Sequence, residues 1–86
     1  MSSPLIAYTL IRCHAGKEMN AYETLKSLAR EVGDIKEIAL LYGMYDIVLR
    51  IESENTERLK EIIFKIRGVD GVTETYTFLA AEREVL

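Results

Sequence analysis

The strongest constraint on the fold is the alternation of strand-like and helix-like segments, with glycines at the breaks between them. From Glu18 to Val32, apolar residues recur at steps of three and four, which is the spacing of one face of an amphipathic helix. Gly33 follows, where a helix commonly ends. A second apolar stripe runs from Leu59 to Ile66, and either Ser53 or Asn55 is a suitable N-cap for it. The pattern therefore predicts two helices.

Strand-like segments, rich in β-branched and aromatic residues, fill the rest of the chain. They are Leu5–Cys13, Ile35–Tyr42, Asp46–Glu52 and Gly71–Ala80. Only the segment 43–45 separates the second from the third, which predicts a tight antiparallel hairpin. The order is β-α-β-β-α-β. With right-handed crossovers it gives a ferredoxin-like α+β fold, a four-stranded antiparallel sheet with both helices on one face.

The chain has 86 residues, enough for one domain, in which we expect residues 5–80 to form the core and residues 81–86 a loose tail or a subunit contact. Apolar residues occupy both faces of the predicted strands. In the first strand Ile6, Tyr8 and Leu10 alternate with Ala7, Ile11 and Cys13, and in the second Ile38, Leu40 and Tyr42 alternate with Ile35, Ala39 and Leu41. Because two helices cover only one face, we expect a sheet-to-sheet homodimer. A slightly apolar monomer surface is the alternative.

The charge pattern limits the partners. The net charge is −3, from 11 basic and 14 acidic residues, and the basic residues are scattered among acids. Nucleic acids require a basic face, so we expect no direct nucleic-acid contact. No uncharged apolar run approaches the ~18 residues of a membrane span, and the start of the chain lacks the features of a secretory signal. We therefore expect a cytoplasmic protein without a membrane partner.

The sequence offers little for catalysis. The single cysteine and the single histidine are neighbours, Cys13 and His14, and neighbouring strand residues point to opposite faces. The glycines do not match a phosphate-binding loop. We expect no catalytic residue, no metal and no cofactor.

The segment Tyr42–Asp46 combines residue types that can hold a small zwitterion. Gly43 permits a positive φ, which can turn backbone amides outward together to bind a carboxylate. Asp46 can bind an ammonium group, and Tyr45 adds a flat apolar wall with a hydroxyl at its tip. The same residues are also ordinary hairpin residues, and their spacing alone favours that interpretation.

The last predicted strand carries Thr73, Thr75 and Thr77 on one face, and Glu74, Tyr76 and Phe78 on the other. A row of hydroxyls can donate hydrogen bonds to a polar ligand. Threonine is also favoured in strands generally, so the row does not by itself indicate a site.

The order of three short motifs resembles the effector-binding domain of the Lrp/AsnC (leucine-responsive/asparagine regulator) family of prokaryotic transcription regulators, over about Leu5 to Ala80. The motifs are the strand, glycine turn and helix of Ala7–Leu25, the turn Gly43–Asp46, similar to the family's G-x-[YF]-D, and Gly68–Thr77, similar to its G-V-x-x-T-x-T ending. Ala15 stands where the family usually has proline.

The resemblance implies a dimer with packed sheets, commonly joined into an octamer or a similar ring, that binds a small effector, usually an amino acid, between dimers. The implied site residues are Gly43, Met44, Tyr45 and Asp46 from one subunit, and Thr75 and Thr77 from another. The family's DNA-reading helix-turn-helix has no counterpart before Leu5, so the resemblance is to the stand-alone form. Such a form would act through the assembly of several chains, and mixing with full-length Lrp/AsnC regulators is a further route that the resemblance suggests.

Two other functions are compatible with this fold. A small dimeric ferredoxin-like-barrel enzyme, of the monooxygenase or isomerase type, would need a pocket within each subunit with His14 or Tyr8 facing into it. A structural assembly module without a ligand would have filled, dry subunit boundaries.

Overall fold

The computed structural model describes residues 3–86, which form a four-stranded sheet with two helices. The elements are β1 Leu5–Cys13, α1 Glu18–Val32, β2 Ile35–Leu40, β3 Ile47–Ser53, α2 Thr56–Arg67 and β4 Val72–Leu79. The sheet is antiparallel with strand order β2-β3-β1-β4. The predicted ferredoxin-like order β-α-β-β-α-β is therefore confirmed. Residues 81–86 are exposed and lie outside the helices and strands.

Local backbone chemistry sets the helix ends. α1 ends at Gly33, where φ is 76° and the N–H donates to the carbonyl of Ala29 at 3.1 Å. α2 begins after Asn55, whose side-chain oxygen accepts a hydrogen bond from the N–H of Arg58 at 2.8 Å. Asn55 is therefore the N-cap, and Ser53 is the last residue of β3. Within residues 3–86, neither helix is long and apolar enough to cross a membrane.

The core lies between the two helices and one face of the sheet. Strand side chains point to opposite faces in turn, so β1 and β3 each contribute alternate residues. The buried apolar residues are Ala7, Ile11, Ile35, Ile47, Leu49 and Ile51 from the strands, and Ala21, Leu25, Leu59, Ile62 and Ile66 from the helices. Burying one large aliphatic side chain contributes about 1.5–3 kcal/mol, so this layer fixes both helices on the sheet.

A β-bulge in β2 changes which residues face the core. Ile35 pairs with Ile51 of β3 while Glu37 pairs with Arg50, so Lys36 is an extra residue on β2. The prediction placed Ile35 and Ile38 on opposite faces. That was wrong, because the bulge shifts the alternation by one residue and both side chains pack against the core.

The link between β2 and β3 is longer than predicted. β2 ends at Leu40 and β3 begins at Ile47, so both predicted strands ran too far toward the turn. The N–H of Leu41 donates to the carbonyl of Asp46 at 2.8 Å and closes the loop. Residues 42–45 project from the sheet between these two positions.

The face of the sheet away from the helices carries apolar side chains that remain half-buried or exposed. β1 contributes Ile6, Tyr8 and Leu10, and β4 pairs Phe78 with Tyr8 and Tyr76 with Leu10. Tyr76 and Phe78 are 42% and 57% exposed. We call these five residues the open sheet face.

Candidate functional site

The loop before β3 carries most of the predicted site residues. Gly43 has a φ of 143°, and a Cβ added there would meet no atom within 4 Å. The backbone conformation, and not crowding, therefore requires glycine at this position. Met44 is 73% exposed, whereas Tyr45 is half-buried. The loop thus presents Met44 outward and turns Tyr45 back toward the sheet.

Asp46 joins this loop to the end of β1. Its Oδ2 accepts a hydrogen bond from the backbone N–H of Cys13 at 2.7 Å, and its own N–H donates to the carbonyl of Ile11 at 2.9 Å. An ionised acceptor makes such a bond stronger than a neutral one does. One carboxylate oxygen is therefore engaged with the backbone, which is the hairpin role that the sequence left open beside ligand binding.

Tyr45 belongs to a cluster with Arg12, Glu74 and Tyr76 that the sequence did not reveal. The rings of Tyr45 and Tyr76 meet edge to face, with centroids 5.8 Å apart and planes at 73°. The guanidinium carbon of Arg12 lies 5.2 Å from the centroid of Tyr45. The Tyr76 hydroxyl donates to Glu74. This hydrogen bond and the negative charge of Glu74 raise the pKa of Tyr76.

The two predicted threonines, Thr75 and Thr77, lie on the face of β4 opposite to Tyr76. Thr77 pairs with Thr9, and the two hydroxyl oxygens are 2.9 Å apart. Because Thr9 is buried, this bond satisfies a hydroxyl that would otherwise lack a partner. Thr75 is half-buried and pairs with Ile11. Thr77 is thus tied into the sheet, whereas Thr75 lines a cleft.

The loop and the threonines do not meet within one chain. Tyr45 contacts β4 through Tyr76, and adjacent strand residues point to opposite faces. Thr75 and Thr77 therefore lie on the far side of β4 from the loop. A site that uses both groups needs a second chain.

The cleft beside Thr75 has a volume of about 370 Å³ and runs along the beginning of β4, next to the end of α2. Its lining residues are Arg67, Val72, Thr73, Glu74, Thr75 and Tyr76. The edge strand bulges here. Arg12 pairs with Glu74 but Cys13 pairs with Val72, so Thr73 is an extra residue. Bulges in edge strands redirect side chains and frequently lie beside functional sites.

The turn that leads into β4, beside this cleft, depends on Gly71, which is buried and has a φ of 95°. A Cβ at this position would lie 2.9 Å from the Cβ of Lys17. The carbonyl of Gly71 accepts a hydrogen bond from the N–H of His14 at 2.8 Å. Lys17 also forms a 3.2 Å salt bridge with Asp70, an ion pair that the sequence did not indicate.

A second cleft, of about 430 Å³, lies near the last residues of β3, at the opposite end of that strand from the loop that precedes it. Its lining residues are Gly33, Asp34, Lys36, Glu52, Glu54 and Arg58. Arg58 and Asp34, two of these lining residues, form a 3.2 Å salt bridge. Because opposite charges are already paired there, this cleft has less capacity to bind a charged ligand.

The residues examined for catalysis do not form a site. Cys13 packs against the core, and burial raises the pKa of its thiol, with smaller contributions from Asp46 and Glu18. His14 is exposed, and Tyr8 lies on the open sheet face. Residues 3–86 hold no group of three or more His, Cys, Asp or Glu side chains suited to a metal ion. The pocket that the enzyme alternative requires, with His14 or Tyr8 facing inward, is therefore not supported.

The ferredoxin-like fold of this chain is that of a small ligand-binding domain of regulatory proteins. The sequence matches the Lrp/AsnC ligand binding domain over residues 6–85, and the chain belongs to this family. The resemblance predicted from the motifs is thereby confirmed.

Solved structures share the fold of this chain. Hypothetical protein PHS023 from Pyrococcus horikoshii is 29% identical, with a TM-score of 0.76 over 92% of each chain. FFRP-DM1 is 30% identical, with a TM-score of 0.77 over 88% of this chain and 97% of that chain. The transcriptional regulator NMB0573/L-Met complex from Neisseria meningitidis shares the fold at 15% identity, with a TM-score of 0.75 over 91% of this chain and 50% of that chain.

The curated relatives are longer proteins. The HTH-type transcriptional regulator FL11 from Pyrococcus furiosus is 29% identical over 75 residues, which are 87% of this chain and 47% of the regulator. A homocitrate synthase from Sulfurisphaera tokodaii is 34% identical over 67 residues, which are 77% of this chain and 15% of the enzyme. The chain therefore spans about half of the regulator and a small part of the enzyme.

Proposed function

We propose that this domain binds a free amino acid as an effector and transmits the binding by changing how several chains assemble. The observation that carries the proposal is the pair of solvent-facing surfaces, the loop 43–46 and the cleft beside Thr75, in a domain of a ligand-binding family. Effector binding at a boundary between chains favours whichever assembly binds the effector more tightly.

The relatives support an effector-binding role. The transcriptional regulator NMB0573 from Neisseria meningitidis, whose fold this chain shares, was solved as a complex with L-Met. The same domain matches parts of a transcription regulator and of an enzyme. A module found in both contexts suits ligand sensing better than either DNA reading or chemistry of its own.

The proposed site combines two chains, because the loop and the threonines lie on opposite sides of β4. The loop of one chain contributes Gly43, Met44, Tyr45 and Asp46, and β4 of another contributes Thr75 and Thr77. In the single chain, Thr75 lines the cleft while Thr77 bonds to Thr9. We therefore expect Thr75 to contact the effector and Thr77 to hold the strand in shape.

The open sheet face supports the proposed homodimer. Tyr76 and Phe78 expose 42% and 57% of their surfaces, and covering such side chains is favourable by about 25 cal/mol per Å² of apolar area. If dimers form through this face, the cleft at the edge of the sheet remains available for contacts between dimers. An octamer or a similar ring would bring the loop of one dimer to the threonine strand of the next.

The proposed setting is cytoplasmic, with full-length Lrp/AsnC regulators as further partners. A net charge of −3 disfavours direct contact with nucleic acid. This chain would influence transcription by joining the assemblies of regulators that carry a DNA-reading domain. Pull-down with a regulator from the same cell tests this partnership, and a regulator that never exchanges subunits with this chain would contradict it.

Calorimetric titration of the assembled protein with each standard amino acid tests the main proposal. A dissociation constant between about 1 mM and 1 µM is expected, which corresponds to roughly 4–8 kcal/mol. Sedimentation velocity, with and without the amino acid that binds, should show a change in the distribution of assemblies. Absence of binding by every amino acid would refute the proposal and favour a structural module without a ligand.

A further inference from the structure

Arg12 is a half-buried basic residue without a negative partner. The half-buried basic residues of the described chain are Arg12, Lys26, Arg50 and Arg58. The last three each form a salt bridge with a carboxylate, whereas Arg12 forms none with any residue from 3 to 86. The Nε of Arg12 is buried and has no hydrogen-bond partner among these residues. Because a buried donor without an acceptor destabilises the fold, an acceptor from outside the chain would be bound favourably.

The loop that precedes β3 holds the Arg12 side chain in place. The guanidinium carbon lies 5.2 Å from the centroid of the Tyr45 ring. The next loop residue, Asp46, accepts a hydrogen bond at 2.7 Å from the N–H of Cys13, the next residue of β1. Two consecutive loop residues therefore contact two consecutive residues of β1, and Arg12 lies directly against the segment 43–46 of the proposed site. A cation–π contact holds the charge but supplies no lone pair for its N–H donors.

The carboxylate opposite Arg12 in the sheet is engaged elsewhere. Glu74 of β4 pairs with Arg12 in the register, but its side chain accepts a hydrogen bond from the Tyr76 hydroxyl. That hydrogen bond raises the pKa of Tyr76, so the hydroxyl stays protonated and donates at neutral pH. Glu74 forms no salt bridge with Arg12, and the donors of the guanidinium group remain available to a ligand.

Arg12 lies beyond the apolar part of the open sheet face. Strand alternation places Ile6, Tyr8, Leu10 and Arg12 on the same side of β1, with Arg12 next to the loop. A second chain packed on the open sheet face would cover the apolar residues and leave Arg12 at the rim, where interfaces are polar. This position suits a ligand bound between the loop and another chain.

We infer that Arg12 binds the carboxylate of the effector amino acid, with the Tyr45 ring holding the guanidinium group in position. A guanidinium group presents a planar pair of N–H donors that matches the two oxygens of a carboxylate. The inference rests on the proposed function. It adds a charged residue to the part of the site that the resemblance assigns to the segment 43–46 alone.

The test compares the parent protein with Arg12→Gln, which removes the charge, and Arg12→Lys, which keeps it. Arg30→Gln is the matched control, because Arg30 is an exposed arginine in the last turn of α1. The ligands are the amino acid that binds most tightly in the calorimetric screen and its carboxamide, which keeps the side chain and the ammonium group but has no carboxylate. Calorimetry of each protein with both ligands gives its preference for the carboxylate.

The parent protein should bind the amino acid about 10-fold or more tightly than the carboxamide, because the carboxamide loses the charge-assisted hydrogen bonds. Arg12→Gln should bind both ligands with similar affinity, whereas Arg30→Gln should keep the parent preference. Arg12→Lys should keep part of it, since an ammonium group retains the charge but not the planar pair of donors. The preference is the readout because a loosened fold weakens the binding of both ligands alike.

The outcomes separate this inference from the proposed function. If the parent protein binds both ligands equally, or if Arg12→Gln keeps the parent preference, the inference is wrong and the proposed function stands. If Arg12→Gln does not fold, an undiminished preference in Arg12→Lys contradicts the inference instead.

Sedimentation equilibrium of Arg12→Gln tests the other source of a carboxylate. If this variant shifts toward single chains and keeps the parent preference, the acceptor belongs to a second chain and the inference is wrong. If no amino acid binds the parent protein, the proposed function fails and this inference fails with it.

Discussion

The backbone N–H of Cys13 donates to the carboxylate of Asp46 at 2.7 Å, so a loop residue fixes the last residue of β1. The contact joins positions 33 residues apart in the chain. It also connects the loop to the strand that lies beside β4, because β1 pairs with β4 on its other edge. Asp46 therefore links the shape of the loop to the strand that carries Thr75.

Replacement of Asp46 tests this structural role. Asp46→Ala removes the acceptor of a part-buried N–H and should lower the free energy of unfolding by about 1–3 kcal/mol. Asp46→Asn keeps an oxygen that can accept the bond and should cost less than half as much. Urea unfolding of both variants measures the difference. Equal losses would show that the negative charge, and not the hydrogen bond, stabilises this junction.

The close approach of Gly71 to Lys17 predicts strict dependence on glycine. Gly71→Ala would place a Cβ 2.9 Å from the Cβ of Lys17 at a φ of 95°, so it should cost about 1–3 kcal/mol in unfolding free energy. Gly68→Ala is the control, because its nearest contact would be an ordinary 3.5 Å to the Lys65 carbonyl. That variant should stay within about 1 kcal/mol of the parent. A thermal melt in which both variants match the parent would contradict the close approach of Gly71 to Lys17.

The hydrogen bond between Tyr76 and Glu74 predicts a change in tyrosine titration. It raises the pKa of Tyr76 in the folded protein, so its stabilising effect is complete below the ordinary value of about 10 and is lost as the pH rises through the folded value. Glu74→Gln should lower the pH at which Tyr76 forms a phenolate. Absorbance titrations with and without Tyr76→Phe isolate this residue. Unchanged ionisation of Tyr76 in Glu74→Gln would exclude the contact in solution.

The open sheet face predicts a specific effect on self-association. Phe78→Asp places a charge on this face and should shift the protein toward smaller species by at least tenfold in dissociation constant. Phe64→Asp is the matched control, since Phe64 is 67% exposed on α2. Sedimentation equilibrium over a range of concentrations measures both variants. If Phe64→Asp dissociates the protein and Phe78→Asp does not, the helices and not the sheet form the interface.

Periodicity was sufficient to predict the helices because their apolar stripes are local patterns. α1 spans Glu18–Val32 as its three- and four-residue steps indicated, and Gly33 ends it. The strands were also found, but their ends near the loop were not. Leu41 and Asp46 bond to each other beyond the last residues of the regular strands, so the apolar pattern continues where the strand does not.

The site was less predictable, because its contacts depend on cross-strand register. Arg12 meets Tyr45 because the register of β1 against β3 brings the end of β1 beside the loop, and the sequence predicted the order of the strands but not their register. The bulge at Thr73 is also a feature of strand pairing that the sequence did not indicate. It offsets the two halves of β4 by one residue relative to β1. The ion pair of Arg58 with Asp34 joins residues 24 positions apart and has no local signal.

The extra residue in β2 has a consequence for chains of different length. Because Lys36 has no partner of its own, a homologue or variant that lacks it would regain regular alternation with Ile35 and Ile38 still turned inward. Deletion of Ala39, in the regular part of the strand, would instead reverse the orientation of every residue on one side of the gap. We therefore expect natural homologues to tolerate the loss of the residue at position 36 of this edge strand, but not the loss of the residue at position 39.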